Sequence, residues 1–137
     1  LWGCRQLGVL ICTGNRLTAE ALGLSQSHAA LELPLEHLDL GENLITTCPP
    51  LGVLSGLREI HLHKNGMRNL SSSIERCVRL QTLDLRDNEI GQLPPELARC
   101  GSLQSLSLSG NPLRSIPYHV QQKGASAVLA LLAMRLA

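Results

Sequence analysis

Aromatic side chains and net charge are almost absent from this sequence. Its 137 residues include one Trp, one Tyr and no Phe, and the formal net charge is +1 at pH 7. Leu, Ile and Val must therefore fill the core, and the aromatic platforms that stack the bases of single-stranded nucleic acid are missing. So small a charge also gives no field that would attract a phosphate backbone. We therefore expect no nucleic-acid partner.

Long apolar runs and catalytic motifs are lacking as well. No apolar stretch approaches the roughly 18 residues of a membrane span, and no charged start followed by an apolar core marks a signal peptide. The sequence contains neither a nucleophile motif nor a glycine-rich phosphate loop. We expect no membrane span, no cofactor and no enzymatic activity within these residues. Because the chain begins at Leu1 rather than at Met, we also expect it to be a fragment of a longer protein.

One spacing of apolar residues recurs along most of the chain. Residues 80–90 follow the pattern L-x-x-L-x-L-x-x-N-x-I, and four further sets keep the same offsets. A fixed period in this range, closed by asparagine in every set, is typical of leucine-rich repeats. One such unit cannot bury its apolar face alone, so adjacent units must stack. The sets start at Leu7, Leu35, Leu57, Leu80 and Leu103, in steps of 28, 22, 23 and 23 residues.

The middle of each set predicts a short strand, and the asparagine predicts a sharp bend after it. Between Thr82 and Arg86 polar and apolar residues alternate, which is the period of a strand with one buried face. The backbone then turns away without a strand neighbour, and an Asn amide offers two donors and one acceptor to its unpaired groups. We expect a buried structural ladder formed by Asn15, Asn43, Asn65, Asn88 and Asn111.

The predicted fold is an α/β leucine-rich repeat solenoid, a horseshoe arc with a parallel sheet on its concave side. Its return segments should hold single 3₁₀ or helical turns, because about 23 residues leave no room for long helices. An insertion around residues 24–30 is expected to form a loop followed by one helical turn. The alanine- and leucine-rich segment 125–137 predicts a helix within a C-terminal cap at about 114–137. We expect residues 1–137 to form a single domain of five repeats.

The repeat unit resembles a particular group of leucine-rich repeat proteins. The 23-residue unit with Leu-Pro-Pro-Glu-Leu at 93–97 is similar to the intracellular repeats of the Ras-pathway leucine-rich scaffold and its plant and protist relatives. Gly-Asn-Pro-Leu-Arg at 110–114, followed by the terminal helix, is similar to the natural end of some of these proteins. The resemblance implies a non-catalytic scaffold or protein-protein interaction module. The long first unit and Cys12, which replaces a strand leucine, depart from the usual pattern.

The cysteines do not form a disulfide framework. They lie far apart without a C-x-x-C pair, and Cys77 and Cys100 stand three residues before a repeat's first leucine. A free cysteine at such a core position behaves as a small apolar side chain. Equivalent positions on adjacent coils offer a disulfide as the alternative, but cytosolic thiols stay reduced. We expect a cytoplasmic protein with five free thiols at Cys4, Cys12, Cys48, Cys77 and Cys100.

The concave face carries the most distinctive polar residues. In the predicted register His61 lies between Asp39 and Asp84 on neighbouring strands about 4.8 Å apart. One hypothesis is a metal or acid-base cluster, since His and carboxylate are ordinary ligands. The other is cross-strand charge pairing on a binding surface. Because a strand surface offers little enclosure, we expect no metal and predict a protein-binding face at His37, Asp39, Glu59, His61, His63, Asp84 and Arg86.

The terminal helix is apolar on more than one side. Leu129, Leu132 and Leu136 form a stripe that can pack on the last repeat at Leu106, Leu108 and Leu113. The other apolar positions should then face outward, where uncovered patches often mark interaction sites. Val128, Leu131 and Met134 occupy other parts of the helix circumference, and we predict that the outer side, around Leu131 and Met134, contacts a partner or a second copy of the chain.

Three functions stay open at this point. The first is a protein-protein interaction module whose mixed-charge concave face recognises an unidentified protein. The second is a structural subunit held permanently in a large cytoskeletal or ciliary assembly. The third is a regulatory domain attached to an enzyme. Solubility of the isolated chain separates the first two, because an obligate subunit with uncovered apolar ends should aggregate.

Overall fold

Five short strands form one parallel sheet in chain order, which confirms the predicted solenoid architecture. The computed structural model describes residues 4–24 and 34–136. Most of the predicted insertion, residues 25–30, therefore lies outside the described residues. The strands are β1 (Val9–Ile11), β2 (His37–Asp39), β3 (Glu59–His61), β4 (Thr82–Asp84) and β5 (Ser105–Ser107).

The register of the sheet places equivalent residues of adjacent repeats side by side. Leu10, Leu38, Ile60, Leu83 and Leu106 form the central column, and its three inner members are fully buried. Because side chains alternate along a strand, the residues before and after this column point to the opposite face of the sheet. That face is where the predicted polar residues lie.

Short 3₁₀ segments occupy the returns between strands, as the repeat length predicted. Ser71 caps the third segment by accepting a hydrogen bond from the Ser73 amide, and Pro95 opens the fourth. The second segment packs on the third and the third on the fourth, and the apolar side chains of the segments join those of the strands in one core. The segments are η1 (Glu20–Leu22), η2 (Leu51–Val53), η3 (Ser72–Arg76) and η4 (Pro95–Arg99).

The residue before each ladder asparagine adopts a left-handed backbone conformation. Gly14 and Gly110 occupy this position in the first and last repeats, with φ angles of 72° and 74°. In the three middle repeats the same bend is made by Glu42, Lys64 and Asp87, with φ angles of 55°, 51° and 55°. The repeated geometry, rather than glycine itself, makes the bend. The bend has no signature in the sequence, because three of the five residues are not glycine.

Two helices follow the last repeat, α1 (Tyr118–Gln122) and α2 (Ala125–Leu136). Helix α2 packs mainly on η4 and α1, so it continues the row of return segments. Leu106 and Leu113, which the cap was predicted to cover, stay half-exposed. Among the described residues, no helix has the length and apolar character required to cross a membrane.

The inward side of α2 agrees with the predicted stripe at Leu129 and Leu132 but not at Leu136. Ala125, Val128 and Leu132 are buried, whereas Leu136, predicted to face inward, is 37% exposed. The assignment of Val128 to the outer side was therefore wrong. The physical reason is that α2 lies against η4 instead of the strand side of the last repeat, which turns Val128 toward the core as well.

Candidate functional site on the sheet face

The seven polar residues predicted for the concave face lie together on the exposed face of the parallel sheet, which we call the sheet face. The register aligns Asp39, His61 and Asp84 across three adjacent strands. His63 and Arg86 lie just beyond the ends of β3 and β4, and His37 and Glu59 begin β2 and β3. The middle repeats thus place three histidines among carboxylates.

Glu59 lies between two histidines. The Nδ1 atom of His37 is 2.9 Å from Oε2 of Glu59, a hydrogen-bond distance, and Nε2 of His61 is 3.7 Å from the same oxygen. The two imidazole rings are 5.3 Å apart, centroid to centroid, and tilted by 37°. Glu59 therefore holds His37 directly and faces one ring nitrogen of His61.

The opposite nitrogen of His61 faces Asp84, together with His63. Oδ2 of Asp84 is 3.8 Å from Nδ1 of His61 and 3.6 Å from Nδ1 of His63. Both distances exceed those of hydrogen bonds. Nδ1 of His63 is buried and has no hydrogen-bond partner among the described residues. The carboxylate oxygen of Asp84 and the two Nδ1 atoms thus lie close together without a hydrogen bond between them.

Gly41 makes room for the His63 ring. A Cβ atom at position 41 would lie 2.2 Å from Cε1 and 2.5 Å from Nε2 of His63, closer than any van der Waals contact allows. The imidazole therefore occupies the space that a side chain on the neighbouring strand would fill. The sequence contained the signal, since Gly41 and His63 share a register column, but a glycine there was not recognised as a binding-site feature.

Arg86 neutralises the buried carboxylate of Asp84. The Nε and Nη2 atoms of Arg86 donate hydrogen bonds of 2.9 and 2.7 Å to the two Asp84 oxygens, and its amide donates one of 3.1 Å. Burial raises the pKa of Asp84, but the hydrogen bonds and charge of Arg86, helped by His63, outweigh it and hold this pKa below its usual range. A carboxylate this buried requires such a partner.

Asp39 does not repeat this arrangement. Its Oδ1 accepts a hydrogen bond of 2.9 Å from the Gly41 amide, so its carboxylate is turned toward its own strand end. Of the two aspartates predicted to flank His61, only Asp84 has its carboxylate facing the ring. The other ring nitrogen of His61 faces Glu59.

Glu42 belongs to the site although sequence analysis did not select it. Its Oε1 is 4.0 Å from Nε2 of His63 and accepts a 3.4 Å hydrogen bond from Nζ of Lys64. Glu42 lies in the bend after β2, outside the strand positions from which candidates were chosen. No alternation pattern could have revealed it.

The composition of the sheet face changes along the sheet. Val9 and Ile11 on β1 are 57% and 64% exposed, whereas β5 presents the serines Ser105 and Ser107. The face therefore runs from an apolar end, through the histidine and carboxylate centre, to a neutral polar end.

Four of the five predicted asparagines make hydrogen bonds that join adjacent repeats. Nδ2 of Asn88 donates to the carbonyl oxygens of Leu62, Leu85 and Arg86, and its Oδ1 accepts from the Met67 amide. Asn43, Asn65 and Asn111 bond in the same way. The prediction of a buried ladder position was wrong for Asn15, which is exposed and whose amide nitrogen bonds within its own repeat. Asn15 belongs to the first repeat, so it has no preceding repeat among the described residues to bond. These are structural residues.

All five cysteines are free. Cys77 and Cys100 are buried, and each donates a weak hydrogen bond to a carbonyl of the preceding repeat, Leu51 and Ile74 respectively. Burial raises the pKa of Cys77 to about 12 and that of Cys100 to about 11. They therefore act as core side chains with weak S–H donors.

The terminal-helix candidates Leu131 and Met134 have different surroundings. Met134 is 75% exposed, whereas Leu131 is half-buried and packs against the core. Leu131 is therefore less accessible than Met134, and the contact predicted for this side of the helix stays a prediction. Next to α1, an open cleft of about 530 Å³ borders β5 and includes Leu106 and Tyr118 in its lining.

Comparison with known families and structures gives a consistent result for the fold. A family model described as "Leucine rich repeat" matches residues 55–113. No curated protein sequence matches the chain.

Two solved structures are similar to this chain. One is an internalin, InlF, from Listeria monocytogenes, with 22% identity and a TM-score of 0.62 over 80% of this chain and 31% of that one. The other is the LRR ectodomain of the plant membrane receptor kinase GASSHO1/SCHENGEN3 from Arabidopsis thaliana, in complex with CASPARIAN STRIP INTEGRITY FACTOR 2. It has 30% identity and a TM-score of 0.59 over 81% of this chain and 16% of that one. The chain thus spans only a minor part of each.

Proposed function

We propose that this chain, a leucine-rich repeat protein, is a non-catalytic protein-protein interaction module whose sheet face recognises a protein partner. Leucine-rich repeat families are in general non-catalytic binding modules. The observation that carries the proposal is the fixed set of charged and imidazole groups at the centre of an exposed five-stranded sheet.

The centre of the sheet face has the features of an interface that is ordered before binding. Arg86 is half-exposed and held by Asp84, and His37 is held by Glu59. Side chains that are already ordered lose less entropy when a partner binds, and interface energy concentrates in a few central residues, often Arg. The complex formed by the GASSHO1/SCHENGEN3 ectodomain supports a binding role for a similar domain.

A scaffold role in the cytoplasm is part of the proposal. Its support is the set of five free cysteines, two of them buried, because unpaired thiols are typical of reducing compartments. The resemblance to the Ras-pathway scaffold remains a prediction from the sequence.

The test compares two surface variants as baits in affinity capture followed by mass spectrometry. The face variant combines Ile11→Ser with His37→Ala and Glu59→Ala, which removes both members of one surface pair and leaves the buried Asp84–Arg86 pair intact. The matched return-side variant combines Val78→Ser, Arg76→Ala and Arg79→Ala, all at exposed positions around the end of η3. We expect proteins captured by the unmodified chain to be retained by the return-side variant and lost by the face variant.

The opposite pattern would place the interface elsewhere. If the return-side variant loses the captured proteins and the face variant keeps them, the sheet face is not the binding surface. Each variant must show the circular dichroism spectrum and the urea midpoint of the unmodified chain. A loss of binding then cannot be caused by unfolding.

The open end of the sheet favours a second candidate, a structural subunit of a larger assembly. Leu106 and Leu113 are half-exposed beside the cleft next to α1, although the equivalent residues of the inner repeats are buried. A chain that functions only within an assembly should self-associate when isolated. Light scattering that shows a monomer at all concentrations would exclude this candidate.

A further inference from the structure

We propose that His61, His63 and Asp84 form a zinc-binding site at the centre of the sheet face. The expectation of no metal from the sequence rested on the flatness of a strand surface. The structure gives this surface more enclosure than expected: the side chain of Asp84 is 7% exposed, that of His63 18% and that of His61 24%.

The spacing of the three donor atoms fits a shared metal ion better than hydrogen bonds. Ligands of a tetrahedral zinc ion lie about 3.3–3.6 Å apart when their bonds to the metal are ~2.0–2.2 Å long. Oδ2 of Asp84 is 3.6 and 3.8 Å from the two Nδ1 atoms, and all three ligand atoms lie within 4.8 Å of one another. The two distances from the carboxylate oxygen to the ring nitrogens thus lie within a few tenths of an ångström of those in a zinc site.

The unpaired nitrogen of His63 is an independent observation that points to a ligand. A buried polar atom without a partner is unfavourable, and Nδ1 of His63 is such an atom. The ring is confined because it fills the space over Gly41. A metal ion at this nitrogen would satisfy it without moving the ring away from its place.

Each histidine also has a carboxylate at its other nitrogen. Glu59 faces Nε2 of His61 at 3.7 Å, and Glu42 faces Nε2 of His63 at 4.0 Å. Histidine ligands of zinc nearly always donate their second N–H to a carboxylate, carbonyl or water, which fixes the ring orientation. Each outer carboxylate therefore lies on the correct side of its ring and needs a small shift to reach hydrogen-bond distance.

The charges around the three ligands allow a divalent cation. The positive charge of Arg86 repels a cation at this place. However, Arg86 is a hydrogen-bond donor to Asp84, and carboxylates that bind a metal usually keep such hydrogen-bond partners. Asp39, Glu42 and Glu59 add negative charge nearby, and Lys64 offsets only part of it. Two imidazoles and one carboxylate with an open fourth position suit zinc.

A second group, His37, Glu59 and His61, is also close enough to be considered. There the His37 nitrogen already makes a 2.9 Å hydrogen bond to Glu59, so the pair is satisfied without a metal. In that group His61 would bind through Nε2, which faces Glu59, and its Nδ1 would stay beside Asp84. The group containing His63 is therefore the stronger choice, and His37 becomes a useful control.

The test is calorimetric titration of the tag-free chain with zinc chloride. We expect one zinc ion per chain, and we expect His61→Gln and His63→Gln to weaken binding by more than about 100-fold, since loss of an outer carboxylate alone typically costs about 10–100-fold. Glu42→Gln should fall within that smaller range. His37→Gln and the exposed helix variant His119→Gln should bind zinc with affinities within a few fold of the unmodified chain.

Two further measurements separate this site from other zinc binding. Cobalt substituted for zinc should give a tetrahedral spectrum without a sulfur charge-transfer band, which excludes the cysteines. Gly41→Ala keeps every ligand but displaces the His63 ring, so a folded variant should lose affinity.

Three results would overturn the proposal. They are equal zinc affinity in folded His63→Gln and the unmodified chain, loss of binding with His37→Gln instead of His63→Gln, and a sulfur band in the cobalt spectrum. Circular dichroism of each variant establishes that it is folded before the titrations are compared.

Discussion

Asn88 and Asp84 are both buried in the fourth repeat, but their polar groups are satisfied in different ways. Asn88 has hydrogen bonds to the backbone of two repeats, and it bends the chain while joining the coils. Asp84 instead depends on one side chain, Arg86. The folded protein should therefore be destabilised in two different ways. One is removal of the Asn88 amide, and the other is removal of the Asp84 charge.

Asn88→Ala should destabilise the fold by about 1–3 kcal/mol, because buried backbone groups lose their partners. The matched control is Asn15→Ala, since Asn15 is exposed and its amide nitrogen donates only within its own repeat. Urea denaturation of both variants measures the difference. A change below about 0.5 kcal/mol for Asn88→Ala, the range of ordinary surface substitutions, would contradict the ladder.

The ion pair of Asp84 predicts an acid-dependent loss of stability. Because the pKa of Asp84 is lowered in the folded protein, its contribution is fully present above the unfolded pKa of about 3.9 and is lost as the pH falls through the lower folded value. Asp84→Asn should therefore be less stable than the unmodified chain at pH 7, and the difference should shrink below about pH 4. Denaturation in a chelating buffer measures it, and a difference independent of pH would contradict the assignment.

The residues of the candidate site show which parts of it a sequence can predict. His61 and Asp84 were selected because strand alternation fixes which side chains share a face. Gly41 and Glu42 were not selected, since their roles depend on where the His63 ring lies. Rotamers follow from contacts across strands, and alternation carries no information about them.

At the scale of elements, the return segments and the terminal helix decide how the coils close. The strands and 3₁₀ turns were predictable because their spacing repeats five times. The orientation of α2 was not, because its apolar residues lie on several sides and only packing on η4 selects the stripe that contains Val128 and Leu132.

Leu132→Ala should cost about 2–5 kcal/mol, as expected when a fully buried leucine leaves a cavity. Met134→Ala, on the exposed side of the same helix, should change stability by less than about 0.5 kcal/mol. Thermal or urea unfolding of the pair tests the corrected orientation of α2. Similar losses in both variants would show that the helix is rotated from the position described.

Gly52 sets how closely η2 and η3 approach. A Cβ at this position would lie 2.2 Å from the Ser73 carbonyl oxygen, whereas no atom of the described residues lies within 4 Å of a Cβ at Gly91. Gly52→Ala should therefore destabilise the protein by about 1–3 kcal/mol through overpacking. Gly91→Ala is the control, with a change expected within about 0.5 kcal/mol. Equal urea midpoints for the two variants would mean that the return segments are less tightly packed.

At the scale of the whole molecule, the stacking of the described repeats leaves the sheet face uncovered. The net charge of +1 gives no long-range attraction for a charged partner, so recognition must depend on the local groups of the sheet face. These groups are held by ion pairs and hydrogen bonds across β2, β3 and β4. The remaining surface of the array offers no comparable concentration of charge and imidazole within the described residues.

Histidine labelling tests most directly whether the sheet face is the binding surface. The chain captured with its partner and the chain alone are each treated with diethyl pyrocarbonate in a chelating buffer, and modification is measured by mass spectrometry. We expect the partner to reduce the modification rates of His37 and His61, while His119 on α1, which is exposed, reacts at the same rate in both. Protection of His119 with unchanged reactivity at His37 and His61 would contradict the account.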